Sequence, residues 1–155
     1  MNFCGNSCGL DPVHPLSRRA RIGIGATDDN PGEAALRDLI LADGNEPRVA
    51  LIAELALPGN DTIAVINVHF DWVGNDTLRY AQASALVRVL DTLHTPYVLL
   101  GDFNDEPGSR TLALLAARAT EAQKPPDNHF TFSSTEPSKE IDFIFAAPST
   151  RCMKE

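Results

Sequence analysis

Tyr97-Val98-Leu99-Leu100-Gly101-Asp102-Phe103-Asn104 is an apolar run, opened by Pro96, that ends in a carboxylate and a carboxamide. Four apolar residues bounded in this way read as a buried strand. Residues i and i+2 of an extended segment share a face, so Asp102 and Asn104 are expected to look into one cleft. A carboxylate beside a neutral amide is hard-oxygen chemistry. It suits a divalent cation on one side and a phosphate or a water on the other. Asp102, Asn104 and Glu106 also have the one-three-five spacing of a calcium loop, but Pro107 replaces the required glycine and Ala113 the required glutamate. The EF-hand reading therefore fails.

The chain upstream of this run is strongly patterned from Arg48. Val49 to Leu55 reads as a strand, Pro58-Gly59-Asn60-Asp61 as a hairpin turn, and Thr62 to Phe70 as the antiparallel partner, expected to be buried on both faces. Asn75 or Asp76 offers an N-cap. Leu78, Ala81, Ala85, Leu86, Val89, Leu90 and Leu93 then recur at helical spacing, which predicts an amphipathic helix over 77–93. Downstream, Pro107-Gly108-Ser109 opens a second helix with Leu112, Leu115 and Ala116 inward. After the Pro125-Pro126 loop, Phe130-Thr131-Phe132 and Glu140 to Phe145 read as strands. Strands and helices in this order predict a mixed α/β layer structure.

Residues 1–47 are poorly patterned. Arg18, Arg19 and Arg21 read as a solvated basic turn, and Asp28 to Asp43 as a short helix carrying Ala34, Leu36, Leu39 and Ile40. Gly23-Ile24-Gly25 lacks the third glycine of a dinucleotide loop, Asp28 standing in its place, and no strand is expected before it. The chain is therefore divided into 1–47, a patterned domain over 48–148, and a tail over 149–155.

A chain of 155 residues, 43% hydrophobic and 22% charged, is enough for one domain with a core. Its net charge of −8 argues against broad capture of a nucleic-acid backbone. A small phosphate substrate stays compatible with that charge, because a bound cation inverts the local field. Cys4, Cys8 and Cys152 lack zinc-site spacing and read as reduced thiols of a cytoplasmic protein. No apolar stretch approaches a membrane span of ~20 residues, and no signal peptide is evident.

Polar residues interrupt the apolar strands at His69, Asp102, Asn104 and Asp142. Alone, His69 suits a satisfied edge histidine, and Asp142 an outward residue on an alternating strand. Together, several strands each end in a group competent for metal or phosphate.

Asn67-Val68-His69-Phe70-Asp71, Gly101-Asp102-Phe103-Asn104-Asp105-Glu106-Pro107 and Glu140-Ile141-Asp142-Phe143-Ile144-Phe145 resemble three successive motifs of the endonuclease/exonuclease/phosphatase family. Phe70-Asp71-Trp72-Val73-Gly74-Asn75 followed by Arg79 is most similar to its bacterial metal-dependent hydrolases. The resemblance implies a fragment of a four-layer α/β/β/α sandwich with mixed, largely antiparallel sheets. It implies phosphoester hydrolysis with Mg2+ or Mn2+ at Asp102 and Asn104. The substrate would be a small molecule, a lipid headgroup or a nucleic acid. His69 would donate to the scissile phosphate, Asp102 orient the attacking water, Asn104 bind the phosphate, and Asp142 orient a histidine.

The resemblance also implies parts that this chain does not display. These are an Asn-bearing strand and a strand with a metal-binding glutamate before residue 48, and a Ser-Asp-His after Asp142. Glu33 and Glu46 are the available early acids, and neither follows an apolar strand; Asn2 and Asn6 lack the context too. None of His14, His69, His94 and His129 follows Asp142. The expectation is a domain truncated at both ends. Its alternative is a catalytically inactive module that binds phosphate, metal or a partner.

Overall fold

The computed structural model describes residues 16–23, 33–40, 46–57, 59 and 61–148; the first two segments are described by their backbone path alone. Seven strands form one sheet: β1 (Leu16–Gly23), β2 (Glu33–Ile40), β3 (Val49–Ala56), β4 (Thr62–His69), β5 (Tyr97–Asp102), β6 (Thr120–Glu121) and β7 (Asp142–Ala146). Their order is β1-β2-β3-β4-β5-β7-β6. Only β4 and β5 run parallel, joined by the crossover helix α1 (Thr77–Leu90). A second helix, α2 (Arg110–Ala116), comes after β5. This is an α/β chain with a mixed, largely antiparallel sheet. Among the described residues there is one sheet, so one β layer of the expected sandwich is displayed with its helices.

Alternation along each strand separates two faces. Ala50 and Ile52 of β3, Ala64, Ile66 and Val68 of β4, Tyr97 and Leu99 of β5, and Phe143 and Phe145 of β7 are buried. They form one core with Ala83, Leu86, Val87 and Leu90 of α1 and Leu112 and Leu115 of α2. Phe103 sits at its centre, edge-on to Phe70 at 5.3 Å, Phe143 at 5.9 Å and Phe145 at 5.7 Å. The other face carries the odd-numbered residues of β3 and β4 and the even-numbered residues of β5 and β7. Val49, Leu51 and Ile144 are exposed there. β4 is therefore buried on one face only, not on both as its apolar composition suggests.

Several other expectations are corrected. Residues 33–40 of the expected helix form β2, paired to β3 from Ala34 to Ile40 and to β1 from Glu33 to Leu39 with one irregularity in register. Ladder bonds to both neighbours outweigh a weak local helical preference. Arg18, Arg19 and Arg21 lie on β1, the edge strand, rather than in a turn. A strand, β1, thus does run up to Gly23, but the next element is β2 and not a helix. The dinucleotide reading fails on that ground and on the missing glycine. Phe130-Thr131-Phe132 makes only an isolated bridge, Phe132 to Lys139, and is exposed. Ala116 of α2 is exposed as well.

Helix α1 ends at Leu90, and its buried stripe is Arg79, Gln82, Ala83, Leu86, Val87 and Leu90. It is rotated from the purely apolar stripe because Arg79 and Gln82 turn inward to serve the loop after β4. Asp76 occupies the cap position, but its carboxylate takes two bonds from Arg110, and the Asn75 side chain accepts from the Thr77 amide at 3.1 Å. Ser109 caps α2 as expected, accepting from the Leu112 amide. Cys4, Cys8, Cys152, His14, Asn2 and Asn6 lie outside the described residues. No helix among the described residues is long and apolar enough to cross a membrane.

Candidate functional site

Register brings the chemistry together. His69 closes β4 and pairs in register with Asp102, the last residue of β5. Asp102 in turn pairs with Asp142, the first residue of β7. Three neighbouring strands thus place an imidazole and two carboxylates in one row, at one end of the sheet and on its open face. His69 Nε2 stands 3.6 Å from Asp102 Oδ2, with the two side chains 57% and 30% exposed. Asp142 is exposed, and the Thr131 hydroxyl accepts from its amide at 3.2 Å.

Backbone geometry at Gly101 lets the row form. Its φ is +136°, and a Cβ there would lie 2.0 Å from the Val68 carbonyl oxygen of the paired strand. Only glycine permits so close an approach one ladder step before the row. Asn104 reaches its position by a different route from the one its spacing suggests. Strand β5 ends at Asp102, and Asn104 has φ +50°, so the two do not share a face of an extended segment. The chain turns instead: Asp102 Oδ1 accepts from the Asn104 amide at 2.8 Å, and Asn104 Nδ2 donates to the Phe70 carbonyl at 3.0 Å. One bond ties Asn104 to Asp102, and the other ties it to the residue after His69.

The Asp102 carboxyl is held above its ordinary pKa. Burial is the largest cause, and the Asp142 carboxylate across the ladder adds to it; the Asn104 amide and His69 oppose it. An excess of negative charge in a partly dried site is what a bound cation relieves. Among the described residues no group of three or more His, Cys, Asp or Glu side chains converges as a metal cage. The row still fits a cation that needs one or two carboxylates and keeps the rest of its shell as water and substrate oxygen.

A second layer of residues, unmarked in the strand pattern, supports the loop. Asp71 is fully buried: its amide donates to Gln82 Oε1 at 2.8 Å, and its Oδ1 accepts from the Val73 amide at 3.0 Å. Arg79 donates to the Asp71 and Val73 carbonyls and faces Asp105 Oδ2 at 3.4 Å. Arg79 therefore joins α1 to the loop after β4 and to the loop after β5, which carries Asn104. The signal for this layer is an arginine and a glutamine at helical spacing on an otherwise apolar stripe.

Two hollows flank the row. A cleft of about 530 Å³ is lined by Trp72, Arg79, Asn104, Asp105, Phe132 and Lys139 among others. A second, of about 440 Å³, includes Asp142, His129, Lys124 and Thr131. Of the early acids, Glu33 starts β2 opposite Gly23, and its neighbour Ala34 pairs with Leu55, which pairs with Ile63 near the start of β4. Glu33 is thus at the far end of the sheet, about 20 Å from the row at strand rise. Glu46 lies before β3, exposed and paired with Arg48 at 3.1 Å.

Comparisons with known proteins agree with this fold. A functionally unknown conserved protein from Enterococcus faecalis is 26% identical, with 68% of this chain and 46% of that chain covered at a TM-score of 0.58. An endonuclease/exonuclease/phosphatase from Bacteroides vulgatus is 23% identical, with 68% and 46% covered and a TM-score of 0.58. The catalytic domain of human Nocturnin, crystallised with a bound sulfate, is 17% identical, with 85% and 47% covered and a TM-score of 0.57. The chain thus spans about half the length of these proteins. No curated protein sequence matches it significantly. The family model described as endonuclease/exonuclease/phosphatase matches residues 13–152, and the chain belongs to that family.

Proposed function

We propose that this chain carries part of a metal-dependent phosphoester hydrolase centre built on the row His69, Asp102, Asp142 with Asn104 beside it. The observation that carries the reading is the register of the row: three adjacent strands each contribute one polar group at the same ladder step. Scattered surface polars do not align in this way on strands that are otherwise apolar.

Asp102 and Asn104 would hold Mg2+ or Mn2+, which when bound polarises a phosphate oxygen. His69, more than half exposed and beside Asp102, is free to turn an N–H toward the phosphate. Asp102 would accept a hydrogen bond from, and so orient, a water in line with the phosphorus. Asn104 is locked to the Phe70 carbonyl and the Asp102 carboxylate, so its carboxamide is pre-positioned rather than mobile. Asp142 adds its negative charge to the effect of burial at Asp102. The substrate class on this reading is a phosphoester.

A second reading is a phosphate- or metal-binding module without turnover. Hydrolysis of bis(p-nitrophenyl) phosphate with Mg2+ or Mn2+ separates the two. Turnover lost in Asp102→Asn supports the hydrolase. Metal-induced thermal stabilisation without turnover supports the binding module.

A further inference from the structure

We propose that Thr131 is a positioning residue for the row, its side-chain hydroxyl standing in for the strand that Asp142 lacks on the outer side of β7. The consequence for turnover rests on the hydrolase reading of the row; the placement of Asp142 does not.

The three strands of the row are not held alike. Asp102 has a paired strand on either side, with His69 opposite it on β4 and Asp142 opposite it on β7. Asp142 has β5 on one side. On the other, β6 is two residues long and faces Phe145 and Ala146, further along β7. One more bond, from the Ala122 amide to the Ile144 carbonyl at 2.8 Å, continues the edge, and the chain then leaves it. It returns at Thr131, whose Oγ1 accepts from the amides of both Ile141 and Asp142 at 3.2 Å. The returning chain is anchored in turn, since the Thr131 amide donates to the Lys139 carbonyl at 2.8 Å.

A hydroxyl oxygen has two lone pairs, so one threonine serves both amides. A further strand would satisfy the same edge, but its backbone and side chains would fill the space beside it. The hydroxyl satisfies the edge and leaves the hollow of about 440 Å³ open, with Ala122, Thr131 and Asp142 among its walls. Asp142 adds charge at Asp102 only while it stays opposite it, so a drift at the start of β7 changes the row. Thr131 is exposed. Water therefore replaces the hydroxyl at these amides when it is removed, and the fold survives the substitution.

The test is amide hydrogen exchange followed by NMR on metal-free protein, with hydrolysis of bis(p-nitrophenyl) phosphate and Mg2+ measured on the same samples. Thr131→Val keeps the shape and removes the acceptor, whereas Thr131→Ser keeps the acceptor. The Asp142 amide should exchange about tenfold faster in Thr131→Val, while the amides of Phe143 and Phe145 keep their parent rates. In the same variant kcat should fall about tenfold with KM unchanged, as for the loss of roughly one hydrogen bond. Thr131→Ser should recover both. An Asp142 amide that exchanges no faster in Thr131→Val overturns the proposal. Faster exchange spread evenly over β7 overturns it too, because that marks a general loosening of the sheet. Faster exchange at Asp142 with kcat unchanged means that the row does not depend on Thr131, and overturns it as well. Absence of turnover in a cooperatively folded parent removes the hydrolase reading, and local exchange at Asp142 then still decides whether Thr131 holds it.

Discussion

The two faces of the sheet are built by the same strands with the same alternation, yet they do different work. On the inner face Ala50, Ile66, Leu99 and Phe145 are nearly inaccessible and meet two helices. On the open face Val49, Leu51 and Ile144 are between 36% and 52% exposed, and the row His69, Asp102, Asp142 stands among them. Dry packing on one side holds the strands in register. Partial hydration on the other lets charged groups remain beside one another at a tolerable desolvation cost. Stability and chemistry are thus divided by face, and the sheet's register links them.

Substitutions on each side test that division. Gly101 is where the faces are most tightly coupled, so Gly101→Ala carries the largest expected effect. Its Cβ would meet the Val68 carbonyl at 2.0 Å, and the loss should exceed about 4 kcal/mol, enough to abolish a cooperative thermal transition. Phe103→Ala opens the aromatic centre of the inner face and should cost about 3–5 kcal/mol in urea unfolding. Arg79→Met takes the guanidinium away from the buried Asp105 carboxylate and from the Val73 carbonyl, which should cost about 3 kcal/mol. Leu51→Thr on the open face should change stability by less than about 0.5 kcal/mol. A Leu51→Thr effect as large as that of Phe103→Ala would mean that the open face is packed in solution and that the contrast is false.

The pH dependence derives from Asp102. Its folded-state pKa lies above the ordinary 3.8, so the folded protein holds more protons than the unfolded chain between that value and the raised one. Stability from this group is fully present below 3.8 and is lost as pH rises through the raised pKa. Asp102→Asn should flatten that limb of a stability profile. Mg2+ competes with the same proton, so metal-induced stabilisation should fade on acidification at a higher pH than for an ordinary carboxylate.

The strand–helix alternation from Val49 to Phe145 is legible in the sequence because apolar runs and turn residues speak locally. The motif residues are legible as strand ends. The order of strands is not, because register is a property of pairs: nothing within Glu140 to Phe145 says that Asp142 lies opposite Asp102. Residues 33–40 mislead because Glu33-Ala34-Ala35-Leu36 favours a helix until β1 and β3 are available as partners. Spacing puts Asn104 in the right neighbourhood for the wrong reason, since a positive φ at a non-glycine residue overrides simple alternation. Asp71 and Arg79 are legible as parts of a motif, but their burial, and the part Gln82 plays beside them, show only once α1 is packed against the loop after β4.

The central claim is that the row at the end of β4, β5 and β7 is a reactive phosphoester centre. Its most direct test is the rate of bis(p-nitrophenyl) phosphate hydrolysis with Mg2+ for the parent protein, Asp102→Asn and His69→Ala. The expected result is metal-dependent turnover that Asp102→Asn abolishes and His69→Ala lowers about 10²–10³-fold, as for loss of one donor to the transition state, with both variants melting cooperatively. Turnover unchanged by either substitution, or none with Mg2+ or Mn2+ in a cooperatively folded parent, would contradict it.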